Sequence, residues 1–230
     1  MQFERWPNFL IIQFSYILII KLPNYLRCMK IICVGRNYAE HAKELNNALP
    51  TAPVLFMKPD TALIRKGEPF FHPNFSNNIH YETEIVFKIK KIGRHIEAKF
   101  AHKYFVEYSV GIDFTARDLQ DNQKSKGLPW EISKSFDQSA VVGDFLPIAG
   151  LDVHNLSFHL LKNGELVQKG NTADMIFPIE KVIEYSSQFF TLKIGDLFFT
   201  GTPEGVGKVS IGDRLEGFAG DIKVFDLMVK

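Results

Sequence analysis

Disulfide scaffolds, membrane spans and nucleic-acid readers each leave a mark that this chain lacks. Only two of its 230 residues are cysteines, Cys28 and Cys33. Two thiols at that spacing make neither a disulfide framework nor a zinc motif, and such scarcity suits a reducing cytoplasm. Neither sign of charge is in excess. Lys and Arg number 27 against 26 Asp and Glu, for a formal net charge of +1. No basic stripe with interleaved aromatics stands out, so a nucleic-acid partner is not expected. A long hydrophobic run is missing too. The apolar stretch "FLIIQFSYILII" spans residues 9–20, whereas a membrane-crossing helix needs about 20 residues. The leading "MQFERW" has no net positive charge, and "KLPNYLRC" after the apolar stretch offers no small-residue cleavage site. A signal peptide therefore fits poorly, and no membrane association is expected.

What the chain does have is the makeup of a globular domain: 46% apolar, 23% charged and 13% aromatic residues, with 21 Phe. Strands favour aromatics. "MKIICVGRNYAEH" from Met29 has the look of an N-terminus. Residues 1–28 are accordingly expected to be a loose appendage or to precede the true start, and residues 29–230 to form one domain. Within it, "KIICVG", "PVLFMKP", "HYETEIVFKIKKIG" (80–93) and "HKYFVEYSVGIDFT" (102–115) predict strands, the last with a short helix before it. "ALIRKGEPFFHP" predicts strand, turn, strand, and "KNGE" a hairpin. Helices are expected after Asn37, with Asn37 as cap and Glu40 its partner, over 115–127, with Thr115 as cap and Asp118 at capping-box distance, and over 177–192. Many short strands, few helices and no strict βαβ alternation predict a mainly antiparallel α+β fold.

Chemistry enters at "HYETE". Side chains alternate across a strand, so Glu82 and Glu84 project from one face. That face is either wet, where two glutamates are ordinary, or buried. Buried carboxylates repel, and a hard divalent cation between them resolves the conflict. Asp113, at the end of "YSVGID", is either a turn residue or a third ligand. His41 and Glu44 lie three apart on one helical face. They are either a surface ion pair or a general base with its orienting carboxylate. Lys134, in the apolar "WEISKSF", either snorkels to water or has a buried partner. "GTPEGVG" (201–207) is not a phosphate loop. Counting back from Gly207-Lys208, Thr202 holds the position of the required Gly, and Val209 stands where Ser or Thr belongs. What remains is a Gly-rich turn able to bring Thr202 and backbone N–H groups to a ligand.

Taken together, "GRNYAEHAKE", "PVLFMKP", "HYETE", "GIDFTARDLQ", "KGLPWEISKSFD", "NGELVQ", "MIFPIEKVIEYSS" and "GDLFFTGTPEGVG" resemble the fumarylacetoacetate hydrolase family, in its small acylpyruvase-like branch. The resemblance covers about residues 30–230 and implies a mixed β-roll, usually homodimeric, that binds Mg²⁺ or Mn²⁺. It implies Glu82, Glu84 and Asp113 as metal ligands, and Lys134 as a catalytic residue with the lid pair His41 and Glu44. Arg117, Gln120 and Thr202 fall on positions that line the substrate site. The implied reaction is hydrolysis of a carbon–carbon bond in a 3-acylpyruvate, giving pyruvate and a carboxylic acid. Oxaloacetate decarboxylation and keto–enol tautomerisation of a 2-oxo acid are alternatives on the same site. A metal- or ligand-binding protein without turnover is the alternative of another class.

Overall fold

The computed structural model describes residues 29–44 and 48–230, so the expectations about residues 1–28 lie outside the described residues. In chain order the elements are β1 (Ile31–Gly35), α1 (Ala39–Glu44), β2 (Val54–Lys58), β3 (Ile79–Tyr81), β4 (Thr83–Ile89), α2 (Ala98–Ala101), β5 (Phe105–Asp113), β6 (Thr115–Ala116), α3 (Arg117–Ser125) and α4 (Glu131–Lys134). Then come β7 (Ala140–Val142), β8 (Leu146–Pro147), β9 (Ser157–Lys162), β10 (Glu165–Asn171), α5 (Ile179–Phe189), β11 (Leu197–Phe199), β12 (Gly207–Lys208), β13 (Arg214–Ala219) and β14 (Ile222–Met228). The expected α+β, mainly β class is what forms.

A seven-stranded sheet runs β2-β1-β11-β4-β5-β7, with β8 also on β5. A four-stranded sheet (β10-β9-β13-β14) and a three-stranded one (β12-β3-β6) complete the roll. Every pairing is antiparallel except β1 with β11. β4 is central and buried on both faces, which explains its almost unbroken apolar sequence. Ile85, Phe87 and Ile89 enter one core with Val182 and Ile183 of α5, while Val86 faces the other way onto Ile31, Cys33 and Phe199. A second core holds Phe70 stacked on Phe114, ring centroids 3.9 Å apart, with Ile112 and Leu215. The "KNGE" hairpin forms as expected between β9 and β10. Asn163 and Gly164 both have positive φ, 55° and 84°, as its turn requires.

Four local expectations fail. The 80–93 strand is broken at Glu82 into β3 and β4. The stretch 62–73 follows a short 3₁₀ turn (Asp60–Ala62) and makes isolated bridges at Leu63 and Phe70 instead of two strands. Asn37 does not spend its side chain on capping α1: its Oδ1 accepts from the Phe177 N–H, 2.8 Å, and its Nδ2 donates to the Phe177 and Thr200 carbonyls. Thr115 lies in β6, and Ala116 precedes α3 without any side-chain cap. In each case a tertiary partner outcompetes the local one.

Candidate active site

Register builds the centre. Thr83 pairs with Ile112 and Glu84 with Gly111 across β4 and β5, and the Asp113 N–H donates to the Glu82 carbonyl, 2.8 Å. Glu82 and Asp113 are thus cross-strand neighbours, and Glu84 lies one pleat further on the same face. Opposite Glu84 stands a residue without a side chain. A Cβ on Gly111 would run into the Val141 carbonyl oxygen, so only glycine lets β7 pair this closely with β5. The break at Glu82 lets its carboxylate turn inward. One oxygen from each of Glu82, Glu84 and Asp113 comes within 4.8 Å of the others, and all three residues are buried. The open alternative of a wet strand face is excluded.

Three cations hold these carboxylates apart from one another. The Lys134 ammonium donates to Glu82 Oε2 (2.6 Å), Asp113 Oδ2 (2.7 Å) and Thr115 Oγ1 (2.7 Å), which uses all three of its N–H groups. Arg117 reaches Glu82 Oε1 and Gln120 Oε1. Lys58 closes β2 with no exposed surface on its side chain. Its Nζ lies 2.7 Å from Asp113 Oδ1 and donates to Ser139 and to the Lys134 carbonyl. Lys58 escaped the sequence reading. A lysine closing an otherwise apolar strand is the same signal that singled out Lys134. The remaining residue, Glu84, accepts from the Gly201 N–H, 2.7 Å, which the left-handed Gly201 (φ 97°) turns toward it. The expected Gly-rich turn thus serves the site.

These contacts split the acidities. Burial works against the charged form of Glu82, but Lys134 and Arg117 outweigh it and hold the carboxyl well below its usual range. Glu84 goes the other way: burial, then Asp113 and Glu82, push it well above. Lys134 is kept charged by Asp113 and Glu82 against the cost of burial.

The residues suit a hard divalent cation. Asp113 Oδ1 is buried with no hydrogen bond, since its contact with Lys58 lies off any hydrogen-bonding angle, and it keeps a lone pair to offer. An all-carboxylate donor set is what Mg²⁺ and Mn²⁺ take.

A cavity of about 30 Å³ opens on the triad and is also lined by His41, Arg117, Gln120, Lys134 and Thr202. All the expected site residues but Glu44 therefore border one space, and Glu44 is tied to it through His41. The His41 ring is buried, its Nδ1 3.0 Å from Glu44 Oε2, and Glu44 is anchored in turn by the Gly205 N–H. Thr202 accepts from Gln168 Nε2, 2.9 Å. Arg36, Lys124 and Trp130 also line the cavity, and nothing in their spacing along the chain marks them.

Comparison with known proteins agrees with this geometry. The family model described as fumarylacetoacetate (FAA) hydrolase C-terminal matches residues 30–224. A mitochondrial oxaloacetate tautomerase of Bos taurus is 45% identical over 187 residues, covering 81% of this chain and 85% of that protein. An oxaloacetate tautomerase of Escherichia coli is 44% identical over 188 residues, covering 81% and 86%. Among solved structures, the fumarylpyruvate hydrolase of Pseudomonas aeruginosa in complex with Mn²⁺ and pyruvate superposes with a TM-score of 0.82 at 36% identity, covering 87% of this chain and 88% of that one. The 5-carboxymethyl-2-hydroxymuconate delta-isomerase of Mycobacterium smegmatis does so with a TM-score of 0.76 at 32% identity, covering 87% and 78%. With its carboxylate triad, its buried lysines and its β-roll in place, the chain belongs to the fumarylacetoacetate hydrolase family of enzymes.

Proposed function

We propose that the protein interconverts the keto and enol forms of oxaloacetate at a divalent-metal centre. The observation that carries this reading is the identity, 44–45% over 81% of the chain, with proteins named oxaloacetate tautomerase. It ranks above the acylpyruvate hydrolysis expected from sequence. Glu82, Glu84 and Asp113 would hold Mg²⁺ or Mn²⁺, and the bound ion would supply positive charge to the oxygens of the 2-oxo acid end. Arg117, Gln120 and Thr202 orient the substrate. Lys134 keeps Glu82 ionised, bridges it to Asp113, and adds positive charge beside the developing enolate. The proton moves by His41. With Glu44 accepting from Nδ1–H, Nε2 takes a proton from C3 and the imidazolium so formed returns that proton to the C2 oxygen. Only a C–H and an O–H bond change, so no attacking water is needed.

A second reading, hydrolysis of a 3-acylpyruvate, is favoured by the likeness to the fumarylpyruvate hydrolase holding pyruvate. There His41 and Glu44 would take the proton from water. Enol absorbance decay with oxaloacetate, and pyruvate release from acetylpyruvate and fumarylpyruvate, each with and without a chelator, test the two. Chelator-sensitive tautomerisation is expected to exceed any cleavage by at least about tenfold, one step in the logarithmic scale of rates. Cleavage as the faster reaction would promote the second reading, and no chelator-sensitive turnover at all would remove both. A homodimer in a reducing cytoplasm completes the proposal, and sedimentation giving only monomer would take the dimer away.

A further inference from the structure

Two cations on the cavity wall form no ion pair among the described residues. Arg36 follows β1 and Lys124 lies in the last turn of α3, and both line the cavity that holds the triad. Both stack on one ring: the Arg36 guanidinium lies 5.9 Å and the Lys124 ammonium 5.8 Å from the Trp130 centroid. The carboxylates of the site are already engaged, Glu82 by Lys134 and Arg117, Asp113 by Lys134 and Lys58, and Glu84 by the Gly201 N–H. Among the described residues neither Arg36 nor Lys124 forms an ion pair, and Arg36 Nε is buried with no hydrogen-bond partner. A buried donor of that kind costs free energy until something accepts from it.

The backbone makes the same point. Arg36 has φ 60°, a left-handed conformation that favours glycine. Strain of this sort persists only where the surrounding structure holds it in place. Lys124 is half-buried, and burial followed by Arg117 and Arg36 lowers its affinity for a proton. Positive charge is therefore concentrated at this wall beyond what the triad balances, before any metal adds two more charges. A stacked pair of cations can hold a carboxylate while the aromatic plate fixes their direction.

We propose that Arg36 and Lys124, braced on Trp130, form a subsite for the distal carboxylate of a four-carbon 2-oxo dicarboxylate, and so select dianionic substrates over monoanionic 2-oxo acids. The assignment rests on the oxaloacetate reading and names the residues that would distinguish this substrate from an acylpyruvate with an apolar tail.

The test uses two inert 2-hydroxy acids with the same chelating end. Malate carries the distal carboxylate and lactate lacks it. Binding of each to the Mn²⁺-loaded protein is measured by calorimetry for the parent, Arg36→Gln, Arg36→Gly and Lys124→Gln, together with Mn²⁺ affinity and the oxaloacetate KM and kcat. Arg36→Gly suits the local φ and guards against a folding failure. Each variant is expected to weaken malate, and to raise the oxaloacetate KM, by about tenfold to a hundredfold, as for one lost charge-assisted hydrogen bond. Lactate and Mn²⁺ affinities should stay within about threefold, less than half a pK-type unit of free energy. Parallel losses for malate and lactate, or no loss for either, overturn the subsite. A parent protein that prefers malate to lactate but does not tautomerise oxaloacetate retains the subsite and loses the proposed function. A parent that tautomerises oxaloacetate yet binds the two acids alike does the reverse.

Discussion

Buried charge decides what individual residues do here. Lys58 has no exposed side-chain surface and touches Asp113, Ser139 and the Lys134 carbonyl at once. Lys58→Met should destabilise the fold by about 3 kcal/mol, the lower end for breaking a buried pair, because Lys134 still faces Asp113. Urea denaturation reads this, and an unchanged midpoint would show that Lys58 is dispensable. Lys134 belongs to the reaction as well as to the fold. Lys134→Ala should lower kcat on oxaloacetate by about 10²–10³, and undiminished turnover would refute its electrostatic role. Glu84 predicts a pH effect. With its pKa raised by burial, Asp113 and Glu82, it keeps its proton to a higher pH than an ordinary glutamate and must release it to bind a cation. Metal affinity should therefore climb as pH rises toward that elevated pKa. Calorimetry in two buffers of different ionisation heat should show about one proton released per ion, and heats independent of buffer would contradict the assignment.

At the scale of elements, the β4–β5 pair is the scaffold. Its register sets Glu84 against Gly111 and brings Asp113 beside Glu82. Gly111→Ala puts a methyl group against Val141 O, Val86 and Phe199. A loss of about 1–3 kcal/mol is expected from such overpacking, and metal affinity should fall with it because β5 must shift beneath Asp113. Thermal melts and Mn²⁺ titration measure both, and a variant with the parent's metal affinity would separate register from binding. Elements with strong local signals formed where the sequence pointed: the Asn163–Gly164 hairpin, β5, and α5 within 177–192. The capping boxes at Asn37 and Thr115 did not form. Asn37 instead joins α1's entry to the segments at Phe177 and Thr200, about 140 and 163 residues away, and Thr115 Oγ1 accepts from Lys134. A short-range rule weighs no partner that distant.

At the scale of the whole molecule, three sheets curl so that β2, the β4–β5 pair, α3, α4 and the Gly201 turn meet at one cavity. Chemistry is thus drawn from residues 36 to 202 of the chain, and unfolding should abolish metal binding along with activity. No helix among the described residues is long and apolar enough to cross a membrane, and the 9–20 stretch lies outside those residues. A second, larger groove of about 960 Å³ lies outside this site, lined by Leu63, Val142 and Phe145 among others.

Periodicity and turn chemistry pointed to the fold class, and the ordered motifs, through the family they resemble, to the carboxylate triad and the His41–Glu44 pair. Each of these is a local pattern, or a set of local patterns in a recognisable order. The sequence left open whether Glu82 and Glu84 faced water, and only the two-sided burial of β4 answered that. Lys58, and the Arg36–Lys124 pair on Trp130, emerged only from packing. Their meaning is a shortage or surplus of charge within one cavity, and that balance does not exist until segments far apart in the chain share the same few ångströms.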